Sequence, residues 1–264
     1  MRILVLIIFM FLFSCKEDKK HEINHSSEIS KKIKLKKLSK QKGTEFYDEI
    51  IALKENDNFT FLNYISKIPK DNLPINANDY EFLLIKKGKC SDGFSKKYDV
   101  NKKAVNNYPF FLVNDYSFDS IRKAKIIKVE SLKSTISNFS MQEALKEVDS
   151  EIDSYYLIPI FYFPVESIYV IGYIHTIIGY KREKIFSGIV LKTYDKEGNI
   201  LDGKYDEVHL LLIYNGDSLC YEKYSNISED YILTEKRKSN DFESKYSNIT
   251  VKYKITKEGL KIIE

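Results

Sequence analysis

Hydrophobic positions repeat with a helical period early in the chain and with a strand period later. Between residues 46 and 68, apolar side chains recur every three or four positions, which indicates amphipathic helices. Two apolar faces are predicted there, one formed by Phe46, Ile50, Ile51 and Leu53 and the other by Phe59, Leu62, Ile65 and Ile68. Pro69 ends this region, because the residue before a proline is disfavoured in the helical conformation. Ser140 and Glu143 form a capping box, which predicts a further helix start.

Most of the later chain predicts β-strands, because segments rich in β-branched and aromatic residues alternate with short turns. The predicted strands are Tyr80–Lys86, Phe110–Val113, Lys125–Val129, Tyr155–Phe163, Ser167–Thr176, Ile185–Tyr194, Glu207–Tyr214, Leu219–Tyr224, Tyr231–Lys236 and Ile249–Thr256. In the last strand, apolar residues from Ile249 to Ile255 alternate with Thr250, Lys252 and Lys254. This alternation predicts one buried face and one solvated face.

The turns between these strands predict how the strands pair. Asp195–Asn199 and Asn215–Asp217 are typical of hairpins, and Asn-Gly adopts positive φ at low cost. Strands that lie close in sequence and are joined by turns pair antiparallel, because parallel pairing needs a long crossover. The predicted fold class is therefore α+β, with a small helical N-terminal part followed by a mostly antiparallel β-sheet domain.

The first fifteen residues have the pattern of an export signal. Arg2 precedes an unbroken apolar run from Ile3 to Phe13. As a helix this run is about 16 Å long, which is too short to cross a bilayer and suits the apolar region of a secretory signal. The sequence Leu12-Phe13-Ser14-Cys15 resembles the bacterial lipobox. This resemblance implies that the Cys15 thiol receives a diacylglycerol and that the chain is cut before Cys15.

Three regions are therefore expected along the chain. Residues 1–14 form the signal peptide, residues 15–43 the lipidated Cys15 and a basic tether, and residues 44–264 a single β-rich α+β domain. Lys16-Glu17-Asp18 resembles an export signal of surface lipoproteins in Gram-negative bacteria. The expected location is the cell envelope, on the outer membrane, with a surface-exposed domain and a periplasmic domain as the two alternatives.

Charge separates the tether from the domain. Residues 16–43 carry ten Lys against four acidic residues, whereas residues 44–264 carry 31 basic and 34 acidic residues. The overall charge of +4 therefore comes from the N-terminal part. A nucleic-acid-binding domain would carry the basic excess itself, so nucleic acid is not an expected partner. The expected membrane contact is the N-terminal lipid.

Composition fits a globular protein and leaves the cysteines open. Hydrophobic residues make up 43% and charged residues 30%, and Gly and Pro are scarce. Three cysteines are too few for a disulfide scaffold. Once Cys15 is lipidated, Cys90 and Cys220 remain, and these two either form a disulfide or stay separate thiols.

The candidate catalytic and metal-binding side chains do not form a recognisable motif. His21 and His25 lie in the tether, while His175 and His209 lie on predicted strands without the spacing of zinc ligands. The two strand histidines are expected at the sheet surface or hydrogen-bonded in the core. Two groups of oxygen-bearing side chains have the residue types of calcium ligands or of an acid–base pair. The first is expected to be a hairpin turn and the second a solvated helix end: Asp195, Glu197, Asn199, Asp202 and Asp206, and Glu147, Asp149, Glu151 and Asp153. No metal, cofactor or catalytic residue is predicted.

Tyrosine is the unusual residue of this sequence, with 20 copies. The crowded positions are Tyr155, Tyr156, Tyr162, Tyr169, Tyr173 and Tyr180, and then Tyr214, Tyr221 and Tyr224. Exposed tyrosines favour recognition of a protein or a glycan. Half-buried tyrosines simply pack well on a sheet, and this second interpretation is the preferred one.

Scattered segments resemble uncharacterised lipoproteins of Gram-negative envelopes. The resemblance rests on Phe61-Leu62 before Leu73-Pro74-Ile75, on Tyr194–Asp202 and on Tyr253–Gly259. It implies an envelope lipoprotein and no enzyme activity. The expected function is a non-catalytic binding or structural role with a protein or glycan ligand. The alternative is a periplasm-facing immunity or inhibitor lipoprotein against a toxin, and a hydrolase with dispersed catalytic residues is less favoured. The sequence does not indicate the oligomeric state.

Overall fold

The computed structural model describes residues 46–87, 97–101, 103–128, 154–178, 184–202, 208–215, 219–241 and 247–263. These residues fall within one compact unit of the chain, Thr44–Glu264. They form a β-rich domain that consists mostly of one antiparallel sheet and contains three short α-helices. The predicted β-rich, mostly antiparallel character is confirmed.

The helices are short, and two of them begin at a hydroxyl cap. They are α1 (Phe46–Glu55), α2 (Phe61–Lys67) and α3 (Phe118–Lys123). Thr60 Oγ1 accepts a hydrogen bond from the Asn63 amide at 3.3 Å at the start of α2. Ser117 Oγ accepts one from the Ser120 amide at 3.1 Å at the start of α3. Such caps satisfy amides that have no partner inside the helix. Two single-turn 3₁₀ helices, Ala77–Asp79 and Glu81–Leu83, follow α2.

Thirteen strands are described. They are β1 (Ile75–Asn76), β2 (Leu84–Lys87), β3 (Lys97–Val100), β4 (Pro109–Val113), β5 (Lys125–Lys128), β6 (Ser154–Val165), β7 (Ile168–Ile178), β8 (Lys184–Tyr194), β9 (Val208–Asn215), β10 (Leu219–Ile227), β11 (Ile232–Asp241), β12 (Ser247–Thr256) and β13 (Gly259–Ile262).

The large sheet is a long meander. Its order is β13-β12-β11-β10-β9-β8-β7-β6-β4-β5, so the strands from β6 to β13 each pair with their neighbours in sequence. β1 pairs with the end of β10 through Ile75 opposite Ile227. β2 and β3 form a separate hairpin, and β3 lies against β8 and β9.

The register defines two faces, and we call the one that carries His175 the inner face. His175 is opposite Gly188, Gly188 is opposite Leu212, and the row continues to Lys223 and Arg237. Side chains two positions apart on a strand share a face. Helix α2 packs on the inner face, because the Tyr64 hydroxyl lies 3.4 Å from that of Tyr173 on β7. Rings of Phe59, Phe61, Tyr64, Phe111, Phe118 and Tyr194 surround this contact.

The middle of the sheet is buried on both faces. Every residue of β4 is buried, as is every described side chain from residue 188 to 194 of β8. The other face is covered in part by the chain after α2, since the rings of Tyr80 and Phe161 lie 4.7 Å apart. An added Cβ at Gly172, opposite Phe161, would lie 2.4 Å from the Phe161 ring. The ring therefore occupies the space that glycine leaves.

Several sequence predictions are corrected by this arrangement. α2 begins at Phe61, so Phe61, Tyr64 and Ile65 are its buried residues while the predicted core residue Leu62 is 52% exposed. Ile249, predicted to be buried, is 53% exposed at the far end of β12. Residues 80–83 lie in and beside a 3₁₀ helix, so the strand predicted from Tyr80 begins only at Leu84.

Some elements were missed by the sequence analysis, and others lie outside the described residues. The strands β1, β3 and β13 and the helix α3 were not predicted. The helix predicted at Ser140 and the acidic group from Glu147 to Asp153 lie outside the described residues. Among the residues that are described, no helix is long and apolar enough to cross a membrane.

Candidate functional site

The predicted modification sites are only partly within the described structure. Cys15, Cys90, His21 and His25 lie outside the described residues. Cys220 lies on β10, with its backbone opposite Asn215 on β9 and Asn240 on β11. Lipidation of Cys15 and the pairing of Cys90 with Cys220 therefore stay predictions.

The two strand histidines meet in the core. His175 on β7 is fully buried, His209 on β9 is 4% exposed, and their ring centroids are 5.2 Å apart. β8 lies between their strands, and it carries Gly188 directly opposite His175. A Cβ at Gly188 would lie 3.5 Å from His175 Nε2 and 2.8 Å from the Leu211 carbonyl oxygen. The backbone of β9 therefore approaches this position too closely for a side chain, whereas the imidazole ring is at an ordinary contact distance. Of the two expected environments, the core one is correct.

Tyr116 connects the histidines to the neighbouring strands. Its hydroxyl lies 2.7 Å from His175 Nδ1, and its carbonyl oxygen accepts a hydrogen bond of 2.6 Å from the Tyr194 hydroxyl. The Lys192 ammonium lies 4.6 Å from the centroid of the Tyr116 ring, a distance typical of a cation–π contact. We call these residues, Tyr116, His175, Lys192, Tyr194 and His209, the histidine cluster.

Burial sets the protonation state of this cluster. Desolvation, with a smaller contribution from the Lys192 charge, lowers the pKa of His175 to about 3. The imidazole is therefore neutral at physiological pH. Desolvation raises the pKa of Tyr64 and of Tyr194 well above the usual value, so both phenols are protonated. The neutral rings can exchange hydrogen bonds without placing further charge in the core.

A second group of buried polar side chains lies further along the inner face. The Glu235 side chain on β11 is fully buried, and its Oε1 accepts a hydrogen bond from Arg237 Nε. Lys223 Nζ on β10 lies 3.7 Å from Glu235 Oε2, and Arg237 Nη2 donates to the Tyr253 hydroxyl at 2.7 Å. Two cations thus flank one carboxylate. We call these residues, Lys223, Glu235, Arg237 and Tyr253, the Glu235 cluster.

Ser225 lies between the two clusters. It is fully buried and directly opposite Glu235 in the β10–β11 register. Its hydroxyl donates a 2.6 Å hydrogen bond to the backbone carbonyl of His209. These polar side chains therefore share the inner face on strands from β7 to β12.

The acidic turn has a structural role in the described part. Asp195 Oδ1 accepts hydrogen bonds from the amides of Glu197 and Asn199 at 3.0 and 2.8 Å, which closes the β-turn predicted from the sequence. The Asp202 carboxylate accepts from the Thr193 amide at 2.6 Å and from the Leu260 amide at 3.3 Å. It thereby joins β8 to β13. Burial raises the pKa of Asp202. Within the described ranges, no group of three or more His, Cys, Asp or Glu side chains could hold a metal ion.

Some tyrosines of the crowded segments are buried in the core, and others are partly exposed to solvent. Tyr156 and Tyr173 are buried, whereas Tyr162, Tyr169 and Tyr224 are partly exposed. Sequence reasoning missed three tyrosines that contact buried polar groups, namely Tyr64, Tyr116 and Tyr194. Their signal in the sequence is weak, because each lies in a different segment of the chain.

The arrangement is suited to cross-linking the sheet. The histidine cluster joins the loop after β4 to β7 and β8, and the Glu235 cluster joins β10, β11 and β12. Neutral hydrogen bonds and compensated charges are the forms in which buried polar groups stabilise a fold. No protein family matches the chain, and neither a curated protein nor a solved structure matches it.

The substitution Tyr116→Phe tests whether the histidine cluster stabilises the domain. It removes the hydroxyl next to His175 Nδ1 and leaves a buried polar atom behind, so we expect a loss of about 1–3 kcal/mol in the free energy of unfolding. Tyr156→Phe is the matched control, because the Tyr156 hydroxyl is buried and has no hydrogen-bond partner among the described residues. Its stability should be unchanged or higher. Equal stability of the two variants in urea unfolding would contradict the role assigned to Tyr116.

The lowered pKa of His175 predicts how stability depends on pH. The folded state holds this ring neutral down to about pH 3, whereas the unfolded chain protonates it near 6.5. Protons therefore bind preferentially to the unfolded chain in this window. The contribution is fully present above the unfolded value and is lost as the pH falls through the window, by about 1.4 kcal/mol per pH unit. His175→Gln should lack this slope when unfolding is measured at several pH values. Parallel pH profiles for the two proteins would disprove it.

Proposed function

We propose that this chain is a lipid-anchored lipoprotein of the bacterial cell envelope whose domain has a non-catalytic binding or structural role. The observation that carries the proposal is the sequence Leu12-Phe13-Ser14-Cys15 directly after an apolar run with one preceding basic residue. We assign residues 44–264 to the α+β class, with a small helical part before the sheet. The membrane partner is the bilayer that holds the N-terminal lipid.

The arrangement of the polar core supports a non-catalytic role. His175, His209 and Glu235 are ionisable side chains of the described interior, and all three are at most 4% exposed. A general acid or base must reach the proton that it transfers. Hydrogen bonds to the main chain and ion pairs also hold these residues or their neighbours in place. A role in cross-linking the strands therefore accounts for these buried residues, and no substrate is needed to explain them.

The substitution Cys15→Ala tests the lipid anchor. Cells that express the chain are grown with a radioactive or clickable fatty acid, and the chain is immunoprecipitated and examined for label. We expect label on the natural chain and none on Cys15→Ala, together with accumulation of the uncleaved precursor. Cys220→Ala is the matched control and should retain its label. Label that persists on Cys15→Ala would refute the lipobox assignment.

Protease treatment of intact cells tests the location of the domain. We propose the outer membrane, with the domain facing outward, because Lys16-Glu17-Asp18 follows the lipidated cysteine. We expect an antibody against the C-terminal part to lose its signal in intact cells, while a periplasmic control protein stays protected. A signal that survives until the outer membrane is opened would place the domain in the periplasm and would favour the immunity or inhibitor role.

A further inference from the structure

The strands at the C-terminal end of the sheet present a strongly basic surface on the face opposite the Glu235 cluster. Its lysines lie on β11, β12 and β13 and are Lys236, Lys238, Lys252, Lys254 and Lys261. They share one face because Lys236 is opposite Thr250, Thr234 is opposite Lys252, and Lys254 is opposite Lys261. We call this surface the lysine face. Lys236, Lys238 and Lys261 are exposed, and Lys252 and Lys254 are partly exposed.

Basic side chains outnumber acidic ones on this face. The five lysines are accompanied by Glu222, opposite Lys238, and by Glu258 in the turn before β13, which forms an ion pair with Lys261. Two lysines, Lys254 and Lys261, are direct cross-strand neighbours, and like charges in that position destabilise a sheet. The basic excess stands out because residues 44–264 as a whole have more acidic than basic residues.

Protection of the sheet edge does not account for the whole surface. Lysines are common on edge strands, where they prevent aggregation, and Lys261 on β13 fits that role. Lys236 and Lys238 lie on β11, two strands away from the edge. An exposed isoleucine adds an aliphatic side chain at the rim of this surface, since Ile263 is 53% exposed, whereas Ile262 is opposite Tyr253 and lies on the other face. The Ile263 amide donates to the Lys252 carbonyl oxygen at 2.8 Å, which holds Ile263 beside the lysines.

We propose that the lysine face binds the anionic headgroups of the bilayer to which the chain is anchored. The inference rests on the proposed lipid anchor, because 28 residues separate Cys15 from the domain and a chain of that length with coil dimensions spans roughly 30 Å. Lysines next to exposed aliphatic side chains are typical of surfaces that adsorb to anionic lipids. Protein interfaces, in contrast, are depleted in lysine. The domain would then lie with β10–β13 on the membrane and the helices away from it.

Lysine footprinting on the full chain tests this orientation. The chain is extracted from cells with its natural N-terminus and reconstituted into vesicles of phosphatidylcholine alone or with phosphatidylglycerol. A water-soluble amine reagent then labels lysines, and mass spectrometry gives the labelling rate at each position. Anionic vesicles should slow labelling of the five lysines of this face at least about fivefold. This factor corresponds to the attraction of a single lysine to an anionic membrane surface. A salt concentration of about 1 M should remove the protection, because it shortens the screening length to about 3 Å.

Internal and variant controls make the result specific. Lys103, Lys123 and Lys196 are exposed and lie on other elements, so their labelling should be the same in both kinds of vesicle. The double variant Lys236→Glu, Lys238→Glu should lose the protection of Lys252, Lys254 and Lys261. The control Lys103→Glu, Lys196→Glu has the same net charge change and should keep it.

The outcomes separate this inference from the lipid anchor itself. If the chain carries no lipid anchor, it stays in the supernatant when neutral vesicles are sedimented. In that case the lysine face is tested separately, by adding anionic vesicles to the dissolved chain. Equal labelling in both vesicle types, or protection that survives high salt, would overturn the proposal. Lysines that react fully in anionic vesicles but are protected in intact cells would also overturn it and would indicate a protein or polysaccharide partner instead.

Discussion

Burial of the central strands on both faces is the constraint on which the rest of the domain depends. Strands with one wet face can place polar side chains in water, but β7 and β8 have no such face over most of their described length. A charged or polar group there loses its hydrogen bonds to water and must replace them with hydrogen bonds or ion contacts to protein atoms. His175 therefore stays neutral beside the Tyr116 hydroxyl, and Lys192 lies over an aromatic ring. The helices and the chain after α2 pack on the sheet and shield its central strands from water.

The same requirement explains the Glu235 cluster at the less covered end of the sheet. A single buried carboxylate would be costly, since desolvation of one ion costs several kcal/mol. Arg237 lies two residues further along the same strand and Lys223 lies on the next strand, so both cations reach Glu235 from the same face. Arg237 also donates a hydrogen bond to the Tyr253 hydroxyl. Cross-strand register, rather than closeness in sequence, brings these groups together.

The sequence predicted the strands better than it predicted their neighbours in space. The large strands were recognisable because β-branched and aromatic residues fill both of their faces. The end of β11 was missed, because Glu235-Lys236-Arg237-Lys238 looks like a solvated run, although alternation sends Glu235 inward and Lys236 outward. Leu62 was misplaced because the helix starts at Phe61, which shifts the buried stripe. His175 and His209 could be assigned to strands, but their contact depends on the register of β7, β8 and β9, including the shift between Ile189 and Val190.

The bridge made by Asp202 has a consequence for the order in which this fold can assemble. The strands from β6 to β13 pair with their neighbours in sequence, and such local hairpins close quickly because little chain entropy is lost. The hydrogen bond from the Leu260 amide to Asp202 instead spans 58 residues. It can form only after the intervening hairpins have curled the sheet far enough to bring its last strand back to β8. The strand β13 is therefore expected to join the sheet late, after the hairpins between Asp202 and Leu260 have formed.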